Sequence, residues 1–264
     1  MWLSVDAGPA CRRRMAFFGA LAVLFAAGGA VTVVQCASMA AMGGVPMSGG
    51  WTMSMAWARP CGLAWPRAAA AFLGMWGAMT AVMMPPALAP MLWRYRQAIG
   101  AAGDARAAWL TVLAGGGYFA VWAVAGVAVY PAGTALAAAA IRLPALAQAV
   151  PFAAGAVVLG AGAVQSRRLA CCRGAPARVR PAPPDARAAW RQGLRLGLHC
   201  GGCCANLMAA ALATGVMDLR VMAVVAAAIA AERVAPDGVR AARLVGAGAI
   251  GAGAWLVARA AGLA

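Results

Sequence analysis

The stretch Gly193–Met217, GLRLGLHCGGCCANLMAAALATGVM, decides the fold of this chain. Apart from Arg195 and His199 it is uncharged. It is also longer than the about 20 apolar residues that a helix needs to cross the roughly 30 Å hydrocarbon core of a membrane. The whole chain shares this character, since its 264 residues are 64% hydrophobic and only 11% charged. The sequence therefore predicts an integral membrane protein rather than a soluble domain.

Six more apolar runs flank this stretch, so we expect an all-α, polytopic transmembrane helical bundle of about seven spans in a single domain, residues 1–264. If the first run is a cleaved signal peptide, six spans remain. The spans are expected at about 15–34, 66–93, 107–130, 143–164, 193–217, 221–231 and 241–256.

Arginines concentrate in alternate loops between these runs, and this bias places the N-terminus in the cytoplasm. The segment 35–66 is then a Met-rich extracytoplasmic loop. The segment 165–191 is an Arg/Pro-rich cytoplasmic loop, in which we expect no regular structure. Cys36 and Cys61 flank the outer loop and could pair in an oxidising compartment.

The net charge of +16 does not indicate nucleic-acid binding. All 22 basic residues are arginines, and most of them lie in the loops that orient the protein in the membrane. A single histidine and few carboxylates do not support a hydrolase triad. Without lysine there is no phosphate-binding loop of the ATPase type. The sequence favours a binding or transport role over an enzyme.

The stretch His199–Met208 is dense in soft metal ligands. On a helix Cys200, Cys203 and Cys204 share one face, Met208 continues it by one turn, and His199 lies beside it. Thiolate and thioether ligands select soft metals, above all Cu(I). The sequence therefore predicts an intramembrane copper site.

A second sulfur cluster lies in the predicted second span. Met79 and Met83 share a helix face, Met84 follows, and Pro85 and Pro86 predict a kink or break close by. With antiparallel spans this cluster and the cysteines share a depth in the cytoplasmic half of the membrane. We expect them to form one site.

Two further groups of sulfur residues lie outside the spans. Cys171 and Cys172 stand beside cationic side chains that favour thiolate, and they could capture or pass on metal. The methionines of the outer loop either pack at the lipid interface or collect Cu(I).

Two motifs, in residues 76–90 and 193–222, carry a resemblance to a known family. They are Trp76-x-x-Met79-x-x-x-Met83-Met84-Pro85 with Pro90, and Gly193-x-x-x-Gly197-x-x-Cys200-x-Gly202-Cys203-Cys204 with Leu207-Met208, Gly215-Val216-Met217-x-Leu219 and Met222. Together with Glu232 they resemble the bacterial predicted metal-binding integral membrane proteins, a family that includes a membrane copper chaperone for tyrosinase-type enzymes.

The resemblance covers about residues 70 to 235. It implies a multi-pass protein of the bacterial inner membrane that handles copper in contact with lipid. The implied partner is a copper-receiving cuproenzyme or a periplasmic or cytoplasmic copper carrier. Ala205 departs from the family, which usually has Trp there.

Three other interpretations stay open from the residues. Cys200 and Cys203 have the spacing of a redox pair, so the chain could be a membrane thiol–disulfide oxidoreductase. Vicinal thiols in a membrane helix also suit a mercury or other soft-metal permease. Finally, the cysteines could be small packing residues at a helix interface.

Overall fold

The computed structural model describes residues 8–57, 64–100, 103–174, 185–215, 218–235 and 237–263. Over these residues the chain is mostly helical, as predicted. The elements are α1 (Pro9–Ala41), β1 (Gly44–Met47), β2 (Trp51–Ser54), α2 (Trp65–Met83), α3 (Pro85–Ala98), α4 (Asp104–Arg142), α5 (Pro144–Gly174), α6 (Ala186–Gly215), α7 (Leu219–Val234) and α8 (Gly238–Ala260).

Within the described residues, five helices are long and apolar enough to cross a membrane, or up to six if the bent pair α2 and α3 counts as one span. The predicted number was seven. The difference arises at α7, whose 16 residues make a helix about 24 Å long, shorter than the roughly 30 Å hydrocarbon core. The orientation of the chain stays a prediction.

The break between α2 and α3 falls where the prolines predict it. The two helix axes differ in direction by 69°. Pro85 and Pro86 have no N–H to donate to the preceding turn, so the hydrogen-bond ladder of α2 ends with Met84 N–H donating to Thr80 O at 3.0 Å. Met84 therefore lies at the corner between the two helices.

Two predicted boundaries are wrong. We expected a loop around Pro131, but α4 runs unbroken through it to Arg142; long apolar helices tolerate an internal proline when neighbouring groups satisfy the freed carbonyl. The segment 165–191 is also more regular than predicted, since α5 continues to Gly174 and α6 begins at Ala186. The Asp185 side chain caps α6 by accepting from Ala188 N–H at 2.6 Å.

The Met-rich outer segment contains an unpredicted β-hairpin, in which Gly44 pairs with Ser54 and Met47 with Trp51. Trp51 Nε1 donates to Ala147 O at 2.8 Å, which attaches the hairpin to the start of α5. Met53 is buried. At the end of α1, Cys36 is a buried free thiol, and Cys61 lies outside the described residues.

The main core lies where α2, α3, α4, α6 and α7 meet. Trp76 is its largest buried side chain; its Nε1 donates to Trp122 O at 2.8 Å, and the ring packs on Gly126. The outer faces of the helices carry large exposed apolar side chains, among them Val23, Val124 and Leu244. Helices that are apolar on both their buried and their outward faces are typical of membrane spans.

Candidate metal centre

Three sulfur atoms meet in the core at the corner between α2 and α3. Cys200 Sγ lies 3.8 Å from Cys204 Sγ, one helical turn further along α6. Cys200 Sγ also lies 3.9 Å from Met84 Sδ, so it connects the cysteine cluster of α6 with the methionine cluster of α2. The expected meeting of the second and fifth spans is therefore present, and it is made by these three residues.

These separations suit one bound ion. A sulfur–metal bond in zinc thiolates is about 2.3 Å long, so three sulfurs arranged trigonally around one ion would lie about 4 Å apart. The two measured sulfur–sulfur distances, 3.8 and 3.9 Å, are close to this value. Cys200 is therefore placed to share one ion with each of its two sulfur neighbours.

The sulfur site is dry. Cys200 and Met84 have no exposed surface, and Cys204 is 2% exposed. Water cannot complete the coordination shell of an ion here, so the protein sulfurs must supply it. Cu(I) accepts such a low-coordinate, all-sulfur environment, whereas hard ions that require oxygen ligands do not.

Tyr118 on α4 is a member of the site that the sequence reasoning missed. Its Oη donates to Cys200 Sγ at 3.0 Å, and its side chain is fully buried. A hydrogen bond of this kind orients the sulfur and stabilises it when it carries negative charge. One tyrosine within an apolar helix carries no spacing signal, so pattern reading could not have selected it.

Arg233 near the end of α7 is the second residue that was missed as part of the site. Its Nη2 lies 4.0 Å from Cys204 Sγ, and the residue is half-buried. The sequence reasoning counted it among the arginines that orient the protein. In the fold, α7 brings its guanidinium against the thiols.

Small residues allow α4 and α6 to approach closely enough for the Tyr118–Cys200 contact. A Cβ on Gly193 would lie 2.0 Å from Ala114 O, and one on Gly197 would lie 2.9 Å from Tyr118 O. The spacing of these two glycines is the small-xxx-small pattern of close helix pairs. This gives the Gly193-x-x-x-Gly197 part of the motif a physical role: it sets the distance from α4 to the thiols.

Cys203 is placed differently from its two neighbours. Its Sγ lies 4.0 Å from His199 Nε2, one turn back on α6. It is disulfide-bonded, whereas Cys200 and Cys204 are free thiols. The expected convergence of three free thiols is therefore reduced to two, and Cys200 is not bonded to Cys203 in this structure.

The remaining predicted ligands have different positions. Met79, Met83 and Met208 are buried in the same core as the thiols. The side chains of Cys171 and Cys172 lie outside the part of the structure that is described. Among the described residues, no group of three or more His, Cys, Asp and Glu side chains is arranged to hold a metal. A metal site here depends on the Met84 thioether as a third ligand.

A buried polar network lies beside the site, between α5, α6 and α7. Asn206 Nδ2 donates to Gln165 Oε1 and, at 3.0 Å, to Ala161 O. Gln165 Nε2 in turn donates to a carboxylate oxygen of Glu232, which is 4% exposed. The resemblance pointed to Glu232, and the network gives this carboxylate partners of its own, apart from the thiols.

Comparison with known proteins gives one match. Residues 73–256, well over half of the chain, match the family model described as "PpoB2: Copper chaperone". The matched region includes both sulfur motifs and all of α3 to α7. No curated protein and no solved structure matches this sequence.

Proposed function

The chain belongs to the PpoB2 copper chaperone family, and from this membership we propose that it is a membrane-embedded carrier that binds one Cu(I) at Cys200, Cys204 and Met84 and passes it to a copper-receiving protein. The observation that carries the proposal is the dry sulfur cluster at the corner between α2 and α3. Copper is the metal of the family; the oxidation state and the ligands are our assignment.

The chemistry of the donors supports Cu(I) over Cu(II). Two thiols and a thioether are soft ligands, while Cu(II) prefers a tetragonal set of nitrogen and oxygen donors. The only histidine of the chain, His199, is next to Cys203 instead. The thioether needs no deprotonation, so Met84 can bind the ion in any protonation state of the site.

The helices support a location in the membrane. Their outer faces are apolar over lengths that match a bilayer, and arginines are enriched at one predicted side. In the proposed orientation α6 enters the membrane near Arg195, so its thiols lie about 8 to 14 Å from the cytoplasmic interface, at about 1.5 Å per residue. We assign the protein to the bacterial inner membrane on this basis.

Copper transfer requires further soft ligands along a route. Met79, Met83 and Met208 are suitably soft and lie in the same core, and we assign them to entry or exit of the ion. Cys171, Cys172 and His199 are candidate ligands at the cytoplasmic end of the route, whereas Cys203 is disulfide-bonded and could bind the ion only after reduction. As the receiving partner we propose a copper enzyme of the tyrosinase type.

The test is anaerobic titration of the purified protein with Cu(I) against a chelating competitor. We expect close to one tightly bound ion per chain, lost in the Cys200→Ser/Cys204→Ser double variant. Cys11→Ser is the matched control, because Cys11 is an exposed free thiol on α1 and its loss should leave the stoichiometry unchanged. Equal binding by the double variant would refute the ligand assignment.

A further inference from the structure

An arginine side chain contacts the sulfur site. Arg233 Nη2 lies 4.0 Å from Cys204 Sγ, and Cys204 Sγ lies 3.8 Å from Cys200 Sγ. In the described residues of α4, α6 and α7, every other arginine is exposed. One guanidinium therefore contacts the buried thiol of Cys204, which in turn contacts that of Cys200.

We propose that Arg233 makes the site selective for monovalent soft cations, Cu(I) and its analogue Ag(I), over divalent soft cations. This inference rests on the proposed function, because it assumes that an ion binds at Cys200 and Cys204. It goes beyond that function by naming a residue that does not bind the metal and the property of the ion that it selects.

A dry site must balance its charges internally when it binds an ion. When an ion binds, each of the two thiols loses a proton to the medium and becomes a thiolate. Two thiolates, one guanidinium and one monovalent ion then sum to zero. The same groups with a divalent ion carry a net charge of +1, and an uncompensated charge is costly at a buried position.

The balance is counted over the groups that contact the sulfurs, and the others among these are neutral. Tyr118 donates a neutral O–H to Cys200, and Met84 adds a neutral thioether. Glu232 precedes Arg233 in the chain, but its carboxylate accepts from Gln165 in the separate network. Arg233 is thus the charged side chain seen in contact with the thiol pair, through Cys204.

The experiment compares Ag(I) and Cd(II) binding to the purified full-length protein, by chelator competition for each ion and by direct displacement. The wild-type protein should bind one Ag(I) and should not exchange it for Cd(II). In Arg233→Gln the two thiolates lose their cation, so the ratio of Ag(I) to Cd(II) affinity should fall by about 30-fold or more, as is typical when one partner of a buried charge pair is removed.

Two further variants isolate the charge. Arg233→Lys keeps it and should retain most of the selectivity. Arg243→Gln removes an exposed arginine of α8 and should leave the ratio unchanged. A ratio in Arg233→Gln within threefold of wild type would overturn the inference, and so would ready displacement of Ag(I) by Cd(II) from the wild-type protein, a result that needs no variant.

The two proposals fail in different ways. If the wild-type protein binds no more Ag(I) or Cu(I) than Cys200→Ser/Cys204→Ser, the proposed function itself is wrong. If it binds the ion at these thiols but the selectivity does not depend on Arg233, only the present inference is wrong.

Discussion

The packing of Gly193 against α4 offers a sharp test of how the site is positioned. In Gly193→Ala the new Cβ would lie 2.0 Å from Ala114 O and 2.8 Å from the carbonyl carbon of the same residue. Both are backbone atoms, so no rotamer change relieves the clash. Ordinary contact begins at 3.4 Å, which means that α4 and α6 must separate locally by about 1.4 Å, the difference between 3.4 and 2.0 Å.

The energetic consequence follows from that displacement. Overpacking of this kind costs about 1–3 kcal/mol, and loss of the 3.0 Å Tyr118–Cys200 hydrogen bond adds about 1 kcal/mol. The higher helix propensity of alanine offsets up to about 1 kcal/mol of this destabilisation. The net loss is then about 1–3 kcal/mol, or a fall in Tm of roughly 5 °C for a chain of this size.

The assay is thermal unfolding of the purified variant in detergent, followed by Cu(I) competition at a temperature where it is folded. Gly201→Ala is the matched control, because it lies on the same helix and a Cβ there has no neighbour within 4 Å; its Tm should equal or exceed that of the wild type. The reasoning is refuted if Gly193→Ala is as stable as Gly201→Ala and binds Cu(I) with wild-type affinity.

Three other substitutions probe the core, the site and the surface. Met84→Leu nearly conserves volume and should cost less than about 1.5 kcal/mol of stability, yet it should weaken Cu(I) binding at least tenfold in chelator competition, because it removes a proposed ligand. Trp76→Phe removes the side-chain hydrogen bond to Trp122 O and part of a buried ring, so the free energy of unfolding should fall by about 1–3 kcal/mol with unchanged Cu(I) stoichiometry. Asp104→Asn breaks the exposed 2.7 Å ion pair with Arg13 and should change the free energy of unfolding by less than about 1 kcal/mol, which denaturation in detergent can check.

The sequence was sufficient to predict the helical class and the break at Met84. The helical class follows from long apolar runs, and the break follows from Pro85 and Pro86, whose effect on a helix is local. Helix rise and span direction predicted one depth for the two sulfur clusters, but that the helices touch was an assumption, which the contact of Met84 with Cys200 meets. The loop expected around Pro131 was wrong, because α4 continues through that residue. A helix packed among other helices can satisfy the carbonyl that a proline frees.

The parts that could not be predicted depend on contacts between distant segments. Tyr118 and Arg233 reach the thiols from α4 and α7, at sequence separations of 82 and 29 residues from their partners. Neither residue belongs to a periodic pattern, and an arginine close to a helix end is typical of a membrane flank. The helical spacing predicted correctly that Cys200 and Cys204 are neighbours, but not that Cys203 is disulfide-bonded.

The most direct test of the central claim is X-ray absorption spectroscopy at the copper edge on the purified protein loaded with one equivalent of Cu(I). The account predicts a shell of two to three sulfur atoms at about 2.3 Å and no nitrogen or oxygen ligand. That shell should be lost in Cys200→Ser/Cys204→Ser and should lose one sulfur in Met84→Leu. A shell dominated by nitrogen or oxygen at about 2.0 Å, or an all-sulfur shell that persists in the double variant, would contradict it.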